Sequence, residues 1–226
     1  MHSRLSLLAL IPFVFPLFAY PLAAEPPQPG WIADARTGCR VWNPTPQPDP
    51  KTTIGWSGAC ANGRAQGHGV LQWFVAGEPD QRFEGELRDG KENGRGVLTF
   101  TDGSRYEGEY RDGKFNGRGV YAYADGGRYE GEYLDGKAHG RGVFSWPDGA
   151  HYEGEFIDGK RNGRGIFTSA KGHHYWGQYR DNKPNGPGIF ESAEGETISG
   201  TWLNGCLGQD DSWVVVGVTK EECGFR

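Results

Sequence analysis

The sequence is short of the residues from which a conventional hydrophobic core is built. Its 226 residues include a single Met, and the mean hydropathy of -0.67 is low for a globular domain. Glycine is abundant instead, with 38 residues, and Trp, Tyr and Phe contribute 8, 10 and 12. A chain rich in glycine and aromatics but poor in aliphatics does not suit a helix bundle and favours short strands joined by tight turns.

The sequence also lacks the patterns of a chemical site. It has no Cys-x-x-Cys pair and no Cys/His spacing typical of zinc. We therefore expect no catalytic residues, no metal and no other cofactor. The formal net charge of -5 argues against general binding to nucleic acid or to anionic membranes.

The N-terminus has the composition of an export signal. Arg4 precedes an apolar stretch over residues 5–20, and Ala23-Ala24 offers small residues for cleavage. Residues 1–24 are predicted to be a signal peptide, although a permanent membrane anchor stays open. The periplasm is the favoured location, with secretion as the alternative.

Four cysteines in an exported chain predict two disulfides. Of the three possible connectivities, we favour the local pairs Cys39–Cys60 and Cys206–Cys223, which flank the first repeat and the end of the last. Residues 25–55, which are rich in proline, are expected to be a linker and N-terminal cap. The repeats span residues 56–208, and residues 209–226 are expected to form a C-terminal cap.

A repeat of 23 residues dominates the chain between the cysteine pairs. Equivalent positions are Phe83, Tyr106, Tyr129, Tyr152, Tyr175 and Ile198. A longer first copy begins at Trp56, which gives seven copies with degenerate outer ones, as expected of capping repeats. Each full copy carries two turn signals, such as Asp-Gly at 102-103 and at 112-113, so we predict one hairpin per repeat.

Alternation assigns the two faces of the predicted sheet. In the stretch from Tyr106 to Tyr110, the rings and Gly108 share one side and the glutamates share the other. This segment, Tyr-Glu-Gly-Glu-Tyr-Arg-Asp-Gly-Lys-Phe-Asn-Gly-Arg-Gly, and its copies resemble the MORN repeat family. The stretch Cys39-Arg40-Val41-Trp42-Asn43-Pro44, with Trp56-Ser57-Gly58-Ala59-Cys60, resembles the front end of exported bacterial members of that family. The resemblance implies an elongated sheet of stacked hairpins used for binding, with no chemistry of its own. The predicted fold is therefore all-β: a single-layer antiparallel sheet of hairpin repeats, capped at both ends.

Two surfaces of this sheet are candidate binding sites. The first is an aromatic face that a protein partner or a second copy of the chain would cover: Trp73, Phe83, Phe100, Tyr106, Tyr110, Tyr123, Tyr129, Tyr133, Trp146 and Tyr152. The alternative is a column of lysines that would bind phospholipid headgroups at a membrane surface: Lys91, Lys114, Lys137, Lys160 and Lys183. We favour a non-enzymatic envelope scaffold that binds a protein or itself, with weak membrane contact.

The remaining charges also form columns with the 23-residue period. Arginines at 95, 118, 141 and 164 share one phase, and two glutamate columns lie beside them. Because acid and base alternate, we interpret these columns mainly as cross-strand ion pairs that keep an exposed sheet soluble and in register.

Overall fold

The computed structural model describes residues 30–45, 48–209 and 212–223, so the expected signal peptide at residues 1–24 lies outside the described residues. Four short strands come first: β1 (Gly30–Ala33), β2 (Arg40–Asn43), β3 (Thr52–Trp56) and β4 (Ala59–Ala61). The proline-rich segment is therefore more structured than the sequence predicts. Its prolines fall outside these strands, which leaves the strand residues free to pair.

Twelve strands form the repeat body. They are β5 (Arg64–Val75), β6 (Glu78–Arg88), β7 (Lys91–Thr99), β8 (Arg105–Arg111), β9 (Lys114–Ala122), β10 (Arg128–Leu134), β11 (Lys137–Ser145), β12 (His151–Ile157), β13 (Lys160–Thr168), β14 (His174–Arg180), β15 (Lys183–Glu191) and β16 (Thr197–Trp202). A small hairpin follows, made of β17 (Cys206–Gln209) and β18 (Ser212–Val215), and a 3-10 turn at Glu221–Cys223 ends the described chain.

One 16-stranded sheet contains all strands from β1 to β16. From β5 to β16 each strand pairs antiparallel with the next one along the chain, and β16 ends the sheet, while β3 and β4 both pair with β5. The one parallel contact joins β2 to β5 at Arg40 and Arg64. This long single sheet confirms the predicted all-β fold of stacked hairpins.

The two turns of each repeat differ in conformation. At the first turn, Asp112 and Gly113 both have positive φ, at 51° and 83°, as a two-residue type I′ hairpin requires. At the second, Gly103 alone takes a positive φ, of 91°, and its N–H donates to the carbonyl of Phe100 at 3.1 Å. Asp-Gly therefore encodes a tight hairpin at one end of each strand pair and a longer loop at the other.

A bulge recurs within each full hairpin. In the β8–β9 pair, Gly108 pairs with Gly119 and Tyr110 pairs with Phe115, so residues 116–118 oppose Glu109 alone. A carboxylate oxygen of Glu109 accepts a hydrogen bond from the backbone N–H of Arg118 at 3.3 Å. Glu132 and Glu155 bind the equivalent backbone N–H groups in the next two hairpins. The bulge thus fixes one glutamate of each repeat against its own hairpin.

One disulfide lies at each end of the repeat body in the described structure, and the C-terminal one joins the small hairpin to the 3-10 turn. Cys39 is joined to Cys60 and Cys206 to Cys223, as predicted, with Cα atoms 5.7 and 5.8 Å apart. At the N-terminal end, the buried carboxylate of Asp34 accepts a hydrogen bond from the backbone N–H of Trp56 at 2.9 Å. Burial alone would raise the pKa of Asp34, but hydrogen bonds from backbone N–H groups outweigh it and lower the pKa.

Candidate functional site

A layer of buried rings on one face of the sheet contains most of the predicted aromatic site. Six of the ten candidates are buried: Phe83, Tyr106, Tyr110, Tyr129, Tyr133 and Tyr152. The ring of Tyr106 lies flat along its own strand, and its hydroxyl donates to the carbonyl of Glu109 at 3.1 Å. A Cβ on Gly108 would lie 2.5 Å from that hydroxyl oxygen, so glycine is required beneath the ring. These six residues are core rather than available surface.

The other four candidates, Trp73, Phe100, Tyr123 and Trp146, are partly or fully exposed. Three of them belong to a row of rings along the edge of the ring layer, the outer aromatic row: Phe100, Tyr121, Tyr123, Phe144, Trp146 and Phe167. Tyr123, at 41% exposure, is the most exposed of these six. Neighbouring ring centroids in the row lie 4.4 to 5.9 Å apart, so much of the surface of each ring packs against the adjacent rings.

The candidate lysines lie beside the tight hairpin turns, and each has a partner. Lys114 lies 3.6 Å from the carboxylate of Asp135 in the next turn, and Lys137 lies 3.8 Å from Asp158. The 2.8 Å contact between Lys160 and Asp181 raises the pKa of the lysine through its hydrogen bond. The other two meet different partners: Lys183 pairs with Glu222, and Lys91 packs over the ring of Trp42. A neighbouring carboxylate therefore balances the charge of four of the five lysines.

An open trough crosses the strands on the face opposite the rings. It consists of two adjoining depressions of about 750 and 900 Å³ that share Arg141. Glycines and β-branched residues line its floor. We call the latter the apolar stripe: Val97, Val120, Val143 and Ile166, at 23-residue intervals. These side chains are half-buried or exposed, so an occupant of the trough would touch them.

Three glutamates that flank the apolar stripe, at positions 84, 107 and 130, are paired with arginines, whereas Glu153 has no ion pair within the described residues. Glu107 lies 2.7 Å from the guanidinium of Arg105, two residues earlier on the same strand. Glu130 is paired in the same way with Arg128, also at 2.7 Å. These ion pairs lie along a strand, whereas the sequence suggested pairs across strands. Because the pairs are exposed, each contributes about 0–1 kcal/mol to stability.

The arginines of the trough are not paired. We call Arg95, Arg118, Arg141 and Arg164 the guanidinium row. Within the described residues, no carboxylate lies within 4.0 Å of any of these four groups. The interpretation of this column as ion-paired is therefore wrong. The glutamates that lie across the strands from these arginines bind backbone N–H groups instead. Glu132, opposite Arg118, accepts a hydrogen bond from the backbone N–H of Arg141. The row offers free, planar, charged donors along the trough.

The described part of the chain has no group of His, Cys, Asp and Glu side chains that could hold a metal ion. Nor does it contain a helix that is long and apolar enough to span a membrane. The arrangement of the trough suits binding. The sequence carried a signal for it, because the arginines and valines share the 23-residue period, but their pairing state depends on side-chain directions that periodicity does not give.

The described repeats agree with a known sequence family. A family model for the MORN repeat matches six segments, at residues 61–74, 83–105, 106–128, 129–151, 152–174 and 175–197. The copy expected from Ile198 lies outside these segments. A search of curated proteins finds no matching sequence.

Two solved structures show a distant likeness. One is the TCP domain of SAS-4 (dCPAP) of Drosophila melanogaster in complex with a proline-rich motif of Ana2 (dSTIL). It is 15% identical, with a TM-score of 0.38 over 85% of this chain and 99% of that chain. The other is the TCP10 domain of Danio rerio CPAP in complex with a STIL peptide. It is 13% identical, with a TM-score of 0.22 over 60% of this chain and 80% of that chain.

Proposed function

The chain belongs to the MORN repeat family, and we propose that it is a non-catalytic scaffold that holds a protein partner in its trough. MORN repeats are generally scaffolds for interaction with proteins or membranes. The observation that carries the proposal is the row of unpaired arginines beside an accessible apolar stripe. Paired charges stabilise a surface, whereas unpaired donors around an apolar floor are typical of a binding site.

The shape of the trough favours an extended partner. It continues from the region of His68 to that of Pro187, across most of the repeat body. A compact ligand would touch one repeat and leave the other copies of the same contacts unused. An extended polypeptide lying across the strands would use every copy, so that weak contacts would add up along its length.

Two other surfaces support binding less well. The lysine column would have to exchange its aspartate partners for lipid headgroups, and exposed lysine–headgroup contacts are weakened by salt. On the aromatic face, which the sequence analysis favoured as the binding site, most of the candidate rings are buried in the core. The outer aromatic row is the part of that face left for a second copy of the chain or another partner. We place the trough ahead of both surfaces.

The proposed location is the periplasm. Disulfides form and persist in oxidising compartments, and both cysteine pairs are joined in the structure. A scaffold with a bridged sheet at each end would remain folded there without a large core.

Selection from a random library of displayed peptides tests the proposal directly. The oxidised protein is immobilised, and enriched peptides are measured against Val120→Glu, which places a charge on the apolar stripe. Ala124→Glu is the matched control, because it adds the same charge to an exposed loop residue away from the trough. We expect binding to be lost with Val120→Glu and kept with Ala124→Glu. Thermal melting confirms that both variants fold.

Two further variants identify the competing surfaces. Peptides that survive Val120→Glu but are lost with Tyr123→Ser would move the site to the outer aromatic row. Pelleting with phosphatidylserine-containing vesicles at physiological salt covers the lipid alternative. Strong pelleting that disappears when Lys114 and Lys137 are both changed to Ala would overturn the proposal in favour of headgroup recognition.

A further inference from the structure

The contacts in the trough recur at a fixed distance. Each repeat contributes two adjacent strands, and neighbouring strands lie about 4.8 Å apart, so equivalent side chains recur about every 9.6 Å across the sheet. The guanidinium row and the apolar stripe both follow this spacing, because their members occupy equivalent positions of successive hairpins. A partner that uses every repeat must present its own groups at nearly the same interval.

Among extended backbone conformations, polyproline II matches this interval. It has three residues per turn and rises about 3.1 Å per residue, so each side of the helix presents a residue about every 9.3 Å. A β-strand presents side chains on one face about every 6.6 Å, and it falls out of step with the repeats after one residue pair. The backbone of polyproline II also has no internal hydrogen bonds, so its carbonyls can accept bonds from arginine.

The trough is lined by glutamates as well as arginines, so a carboxylate of the partner would be held by contact with an individual guanidinium and not by a net positive charge. Arg118 and Arg141 are exposed and have no ion pair within the described residues, while Glu107 and Glu130 are occupied by arginines outside the row. An arriving carboxylate would therefore not have to displace an internal ion pair. Guanidinium binds carboxylate through two parallel hydrogen bonds, which lysine cannot do.

We propose that the trough binds an acidic polyproline II segment that presents one carboxylate to the guanidinium row in every three residues. A second residue of each triplet, proline or another apolar residue, lies on the apolar stripe, and the third faces solvent. Four arginines and four stripe residues correspond to roughly twelve partner residues. This inference rests on the proposed function, because it assigns the occupant of the same trough.

Synthetic peptides of about twelve residues test the inference. The probe is a repeated Pro-Pro-Glu triplet, and the comparators are repeated Pro-Pro-Gln and an alternating Pro-Glu peptide of equal length. The alternating peptide carries more charge in the wrong period. We expect Pro-Pro-Glu to bind most tightly by fluorescence anisotropy, despite its lower charge. Equal or tighter binding of the alternating peptide would overturn the inference, and so would the absence of any Pro-Pro-Glu binding.

Charge-matched variants separate the trough from general electrostatics. Changing Arg118 and Arg141 together to Gln should weaken Pro-Pro-Glu binding about five- to tenfold, the loss expected for two exposed charge-assisted contacts. Changing Lys114 and Lys137 together to Gln removes the same charge and should leave the affinity within about twofold. Equal losses in the two double variants would show nonspecific attraction and overturn the inference.

The two proposals can fail separately. If library selection yields peptides that depend on Val120 but have neither acidic triplets nor proline, the trough is a protein-binding site and the acidic polyproline assignment is wrong. If the selected peptides bind the Val120→Glu variant as tightly as the unchanged protein, the trough is not the binding site, and the assignment of an acidic partner to it is also wrong.

Discussion

The ring of Phe115 lies stacked on the ring of Tyr106, with centroids 3.7 Å apart and an interplanar angle of 8°. The stacking position, which we call the slot, differs in every repeat: Glu92, Phe115, Ala138, Arg161 and Pro184. Phe115 stacks on Tyr106, and the guanidinium of Arg161 lies over the ring of Tyr152, so the slot varies within a layer whose tyrosines repeat.

We expect two substitutions in the slot to change the stability of the protein in opposite directions. Phe115→Ala should lower stability by about 2–4 kcal/mol, because it removes a ring that stacks within the core. Ala138→Phe should raise stability by about 0.5–1.5 kcal/mol, because it supplies Tyr129 with the stacking partner that Tyr106 already has. Urea unfolding monitored by fluorescence measures both. A destabilised Ala138→Phe would show that Ala138 has no room for a ring.

The two faces predict a contrast between adjacent residues. Tyr129 is 2% exposed and bonds to the carbonyl of Glu132, so Tyr129→Ala should cost about 3–5 kcal/mol. Glu130 is exposed on the trough face, and Glu130→Ala should cost less than about 1 kcal/mol. Thermal and urea midpoints provide the measurement, and similar losses for the two variants would contradict the assignment of faces.

Because of Glu92, we expect the free energy of unfolding to depend on pH. Burial raises its pKa to about 7, although a hydrogen bond from its own backbone N–H opposes the rise. Because the folded pKa lies above the ordinary 4.5, this residue penalises folding little below pH 4.5, increasingly between pH 4.5 and about 7, and by a constant amount at higher pH. Glu92→Gln should therefore stabilise the protein by about 1–3 kcal/mol near pH 8 and have little effect near pH 4. Urea midpoints that shift equally at both values would refute this origin.

The two disulfides predict sensitivity to reduction at both ends of the sheet. Each closes a short loop, of 21 and 17 residues in sequence separation, and should contribute about 3 kcal/mol by chain entropy. Replacing Cys206 and Cys223 with Ser should lower the melting temperature and increase hydrogen exchange in β16 before β10. Peptide mapping of the native protein should recover both bridges, and free thiols at these four positions would contradict the assignment.

The period and the two faces were readable from the sequence because glycine and tyrosine alternate with glutamate around Gly108 and Gly131. What the sequence did not show is that the first tyrosine of each repeat lies along its own strand and donates to the carbonyl three residues later, as Tyr106, Tyr129, Tyr152 and Tyr175 do. That tilt covers the ring face without a second layer, so the aromatic surface expected for a partner is mostly interior. Alternation fixes the face of a side chain but not its tilt.

The charges show the same limit. Lys114 and Asp135 lie 21 positions apart and come together because successive tight turns stack. Arg118 has no ion pair, and its neighbours Glu109 and Glu132 accept hydrogen bonds from backbone N–H groups instead. Which partner a charged side chain takes depends on its rotamer and on the bulge at residues 116–118, and neither is visible in residue spacing.

The bulged hairpin, with its ring over paired glycines, is a complete structural unit that contributes one set of contacts to the proposed binding trough. Each 23-residue unit bonds only to its neighbours, so gain or loss of one unit by gene duplication would leave both disulfide-closed ends and the register of the rest intact. The trough would lengthen or shorten by one step of about 9.6 Å. The length of partner that fits the proposed site would then depend on the number of repeats. Recombination can change that number in one event without altering any contact residue.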